Sequence, residues 1–107
     1  MRKIITTFFL IILSAQSALA ECSGNFCDVK IESFYISSTW VAINTDGTES
    51  NLNCTPFEGK SIRLHQSHTN YNTIYATLLS IKLADKRVKI RIHEGSTDCS
   101  LFYIVMP

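Results

Sequence analysis

The sequence predicts a small, mostly β domain with one helix, ordered β-β-β-α-β-β and stapled by disulfides. Three observations carry that expectation. Short runs alternate apolar and polar residues, one longer run has a helical stripe, and four cysteines lie beyond residue 20 of a 107-residue chain.

The N-terminus is set apart first. Arg2 and Lys3 precede an apolar stretch, Ile4 to Leu13, then a short polar run and Ala18-Leu19-Ala20. That is the pattern of a secretory signal peptide, residues 1–20, cleaved after Ala20. The apolar run is about half the roughly 20 residues a membrane anchor needs. Glu21 before Cys22 departs from the small residue that precedes a lipid-modified cysteine. Residues 21–107 are then a single domain, secreted or periplasmic, with no membrane attachment after cleavage.

All four cysteines, Cys22, Cys27, Cys54 and Cys99, fall in this exported part. An even number in a short exported chain reads as two disulfides, with three pairings open. The expected one is Cys22–Cys27 as a local loop and Cys54–Cys99 as the long staple. The alternative, a zinc site, would want a C-x-x-C pair, and there is none.

Each element has its own signal. From Asp28 to Ile36, Val29 and Ile31 alternate with Lys30 and Glu32 before Phe34-Tyr35-Ile36. Ser37-Ser38-Thr39 is a polar turn. Trp40 to Thr45 follows, with Val41, Ile43 and Thr45 on one face and Trp40, Ala42 and Asn44 on the other, so the two segments read as a hairpin. A polar loop from Asp46-Gly47 runs to about Asn53. Ser61 to His65 is a third strand, with Ile62 and Leu64 opposed to Arg63. Tyr71, Ile74, Tyr75, Leu78 and Ile81 then form a helical stripe, with Thr69 or Asn70 as N-cap and an end near Ala84. Val88, Ile90 and Ile92 alternate with Arg87, Lys89 and Arg91. The last run, Cys99 to Met106, is apolar on both faces, which predicts a central strand or one whose second face meets another surface.

Composition limits the function. Without Arg2 and Lys3, eight basic residues face nine acidic ones, so no charge excess drives nucleic-acid or anionic-membrane binding. No G-x-S-x-G elbow or phosphate-binding glycine loop occurs. His65, His68 and His93 read as exposed loop residues rather than a metal set. Asp28, Glu32, Glu49 and Glu58 include no pair that the sequence places together. The expectation is a protein that is not an enzyme and carries no cofactor or metal. Two features are candidates for ligand contact. Trp40, beside the hydroxyls of Ser38 and Thr39, suits stacking on a sugar face. Lys89 and Arg91, in the basic stripe that begins at Lys86, suit an acidic sugar or a charged seam between subunits. Asn53-Cys54-Thr55 is a glycosylation sequon only in a host that glycosylates.

The helix, the run Ala84-Asp85-Lys86-Arg87-Val88-Lys89-Ile90-Arg91-Ile92, a turn and Leu101-Phe102-Tyr103-Ile104-Val105-Met106-Pro107 together resemble the C-terminal half of bacterial toxin B subunits. The likeness is to the heat-labile enterotoxin group and, further off, the subtilase type. It covers residues 69–107 and is one of pattern. With Asn53-Cys54-Thr55-Pro56, the chain also resembles small exported proteins of Gram-negative bacteria. The enterotoxin subunits tie an N-terminal cysteine to the strand after the helix, and that strand has no cysteine here. The resemblance implies an OB-like five-stranded barrel and a non-catalytic, glycan-binding protein, with assembly into a pentamer. The alternative is a periplasmic accessory or inhibitor protein whose partner is another protein.

Overall fold

The computed structural model describes residues 19–106, so most of the expected signal peptide lies outside the described residues. The chain forms β1 (Glu21–Ser23), β2 (Phe26–Ile36), β3 (Trp40–Thr45), a 3-10 turn (Glu49–Asn51), β4 (Ser61–His65), α1 (Tyr71–Leu83), β5 (Arg87–Ile92) and β6 (Leu101–Val105). It is a mostly β protein with one helix and an antiparallel sheet in the order β4-β3-β2-β5-β6, with β1 paired to β2. The expected strand-helix order is present, with β1 as an addition. Three residues are too few to show a period, which is why the sequence did not announce it.

The disulfides are Cys22–Cys27 and Cys54–Cys99, and no described cysteine is free. The zinc alternative is thereby overturned, because all four sulfurs are consumed. Cys22 and Cys27 are register partners across a two-residue turn, in which Gly24 takes a φ of 64° that an L side chain rarely adopts. The second bridge ties the loop before β4 to the residue that leads into β6. In the chain-entropy model, closing a loop of that size contributes about 4 kcal/mol.

β2 and β3 form the expected hairpin, with Tyr35 opposite Ala42 and Phe34 opposite Ile43. The alternation sorts as read: Val41, Ile43, Ile62, Leu64, Val88, Ile90 and Ile92 are all buried, and Ile74, Leu78 and Ile81 of the helix stripe close the core over them. Tyr71 and Tyr75 pack at its margin, where Tyr75 meets Phe34 edge-on at 5.9 Å. Asn70 is the N-cap residue, but its side chain makes no capping bond; its N–H donates instead to Nδ1 of His68 at 3.0 Å. The helix stops at Leu83 because Asp85 turns left-handed (φ 53°). The N–H groups of Asp85 and Lys86 then return to the carbonyls of Lys82 and Ile81, a Schellman closure.

β6 departs from simple alternation. Its register against β5 slips between Arg91 and Ile92, so Leu101 and Ile104 face inward while Tyr103 and Val105 face out. The strand ends the sheet order and is not central; its second apolar face is open. Phe102, Val105 and Met106 are exposed, and the Nε2–H of His68 donates to the Phe102 carbonyl at 2.6 Å. At its start, β6 touches the other end of the order: Arg63 of β4 bridges Ser100 in parallel, and the Arg63 N–H donates to the Cys99 carbonyl.

Candidate functional site

The outward face of β2-β3-β4 is built in rows. Ser33, Asn44 and Ser61 occupy one row, linked by hydrogen bonds from Ser61 Oγ to Asn44 Oδ1 and from Asn44 Nδ2 to Ser33 Oγ (2.9 Å for the latter). Tyr35, Ala42 and Arg63 make the next row, and Trp40 faces His65 beyond it. Ala42 is buried although it points outward. The cover is an aromatic stack. Tyr35 lies nearly parallel to Trp40 with ring centroids 5.7 Å apart. The Arg63 guanidinium carbon sits 4.2 Å from the Trp40 centroid and 3.9 Å from that of Phe57. The indole is therefore engaged from both flanking strands, and the ring left open to solvent is Tyr35, 63% exposed. Ser38 and Thr39 stand exposed at the hairpin turn beside it. Trp40 is thus the backing of the stack and Tyr35 its open surface.

Below the stack, Asp98 accepts from His65 Nε2 at 2.6 Å and from Ser100 Oγ at 2.5 Å, and lies 3.5 Å from an Arg63 amino group. Burial opposes ionisation of Asp98. The hydrogen bonds from Ser100 and His65, with the charges of His65 and Arg63, outweigh it and hold the carboxyl below the usual carboxylate range. This order of groups is not a nucleophilic triad. The carboxylate sits between the hydroxyl and the imidazole, so the histidine cannot take the Ser100 proton. His65 is thus half-buried in β4 within an ion-pair network, which corrects its reading as an exposed loop residue, while His68 and His93 do lie in loops. His68 pins β6, and His93 stacks on Phe102 at 4.3 Å.

A second cluster lies at the far end of β2, where Phe26, Arg91 and Tyr103 face each other across β2, β5 and β6. The Arg91 guanidinium carbon is 5.1 Å from the Phe26 centroid and 5.8 Å from that of Tyr103. Lys89 projects on the same face, in a row with Asp28 and Val105, and borders an open depression of about 600 Å³ with Leu19, Glu21, Ser23, Phe26 and Asp28. Phe26 and Tyr35 are nine positions apart on β2, roughly 30 Å at about 3.3 Å per residue. The fold therefore does not join Trp40 with Lys89 and Arg91 in one site.

Among the described residues, no three His, Cys, Asp or Glu side chains are grouped as metal ligands. Asp28 is held by Arg87 at 3.2 Å, and Glu49 is buried against the hydroxyl of Thr45 at 2.5 Å, so both serve bonds within the fold. Tyr35, Phe57, Arg63, His65 and Asp98 were not singled out from the sequence as one cluster. Alternation placed Arg63 on the outer face, but its contacts with Phe57 and Asp98 come from loops, which carry no periodic signal. No protein family, curated protein or solved structure matches this chain.

Proposed function

We propose that the mature chain is an exported, non-catalytic binding protein of OB-like barrel architecture that recognises carbohydrate on the Tyr35–Trp40 platform. Two disulfides suit an oxidising compartment outside the cytoplasm. Among the described residues, no helix is long and apolar enough to cross a membrane. Support for the barrel comes from the sheet order and from the Arg63–Ser100 bridge, which brings the two terminal strands together at one point. The likeness of residues 69–107 to toxin B subunits leads in the same direction.

One observation carries the carbohydrate reading. Tyr35 presents an open ring on a stacked backing, next to the hydrogen-bonding row of Ser33, Asn44 and Ser61. Sugars present one apolar face and a rim of hydroxyls, and a braced ring beside polar groups meets both needs at small entropic cost. A glycan screen at high protein density should return a ligand. Tyr35→Ala should weaken it about tenfold, the worth of a stacked ring. An empty screen, or a ligand indifferent to Tyr35, contradicts the reading.

A second reading, that the partner is another protein or further copies of this chain as in the ring-forming B subunits, is favoured by β6. This strand ends the sheet with Phe102, Val105 and Met106 exposed. Light scattering separates the two forms of this reading. A mass near five monomers supports the ring, and a clean monomer moves the case to a separate partner protein.

A further inference from the structure

We propose that Arg91 and Lys89 form a second binding site, specific for a carboxylate-bearing sugar and separate from the Tyr35 platform. The proposal rests on the reading of the chain as a carbohydrate-binding protein and adds both a place and a ligand charge to it.

The argument starts with what Arg91 lacks. Its Nε is buried and has no hydrogen-bond partner among the described residues. Among the described residues, neither Arg91 nor Lys89 has a carboxylate within ion-pairing distance. The nearby acids are otherwise engaged: Asp28 holds Arg87, and Glu94 accepts from the side-chain amide of Asn25 at 2.9 Å. Glu21 and Asp28 both line the depression and oppose an incoming anion, Asp28 the less because Arg87 holds it. Two cations of one strand face therefore stand without a direct ion pair among the described residues, with Asp28 across the register from Lys89 but turned to Arg87.

The guanidinium is also held rigidly. Phe26 and Tyr103 flank the guanidinium from the neighbouring strands, which orients the group and removes part of its hydration. An oriented, partly dehydrated guanidinium is suited to paired hydrogen bonds with a carboxylate, and the adjacent ammonium adds a point charge. The same rings give a pyranose an apolar face to lie on. The depression beside Lys89 is lined in part by Leu19, and cleavage after Ala20 would open it further on that side, leaving room for one ring and its substituents. The pairing Phe26–Arg91–Tyr103 thus offers charge and stacking together, which a free inorganic anion would use only in part.

The test is an NMR titration of the purified, oxidised protein with glucuronate, its methyl ester and acetate at matched concentrations, following the Arg91 Nε–H resonance. Glucuronate should shift that resonance saturably. The methyl ester, with the same ring and no charge, should bind about tenfold more weakly, as should acetate, with the charge and no ring. Arg91→Lys keeps the charge and loses the fork, and should weaken glucuronate about tenfold. Lys89→Gln, on an exposed position that leaves the stack intact, should weaken it several-fold. Acetate binding as tightly as glucuronate would reduce the site to an adventitious anion position and overturn the proposal. So would glucuronate shifts that ignore both variants. Shifts that instead cluster at Tyr35 would overturn this site while leaving the platform reading in place, and a silent titration at Arg91 would do the same wherever a neutral glycan still binds.

Discussion

Arg63 and Arg91 occupy equivalent settings and do different things. Each projects outward from a strand and lies against an edge-on pair of aromatic rings, and each has a buried Nε without a partner among the described residues. Arg63 also meets Asp98, a carboxylate that the loop before β6 delivers next to His65. Arg91 meets none. The first arginine is therefore part of the joint between β4 and the start of β6, and the second keeps its charge available. The difference lies in one acidic residue supplied from 35 positions away, with Ser100 and the Cys54–Cys99 bridge fixing where it arrives.

That contrast can be broken or sharpened by mutation. The largest effect belongs to the shared core beneath both clusters. Leu78 is fully buried, and Leu78→Ala should cost about 2–5 kcal/mol in a denaturant melt. A loss below about 1 kcal/mol would show that the helix does not seal the core. Next comes the joint. Arg63→Ala removes the guanidinium packed over Trp40 and Phe57 and leaves Asp98, only 17% exposed, with one cation fewer; the expected loss is about 1.5–3 kcal/mol.

Smaller again is the pH term. Asp98 has a carboxyl depressed in the folded state, so its contribution is present above the unfolded value of about 3.9 and is lost as pH falls through the folded one. Asp98→Asn should flatten the acid limb of the melting temperature between about pH 5 and pH 2. An unchanged acid limb would place that sensitivity at another carboxylate.

Much of the fold was legible in the sequence because period and burial agree. Val88, Ile90 and Ile92 alternate and are buried; Ile74, Leu78 and Ile81 step by four and three and are buried. Of the three pairings the four cysteines leave open, the expected one, Cys22–Cys27 with Cys54–Cys99, is the one formed. The bulged register of β6 was not legible, since a slip at Phe102 is invisible in a run that is apolar on both faces. Nor was the order of the sheet, which puts β6 at an edge. Site residues were half legible for the same reason. Alternation put Trp40, Lys89 and Arg91 outside, but it could not tell which outward rings stack on each other. Tyr35 and Trp40 are diagonal neighbours in the hairpin, a contact that depends on register.

The most direct measurement of the difference between the two arginines is a paired denaturant melt and glucuronate titration of Arg63→Ala and Arg91→Ala. Arg63→Ala should lose stability by about 1.5–3 kcal/mol and keep glucuronate affinity, while Arg91→Ala should lose about 0.5 kcal/mol and most of that affinity. Equal losses of stability, or an affinity that survives without Arg91, would contradict the account.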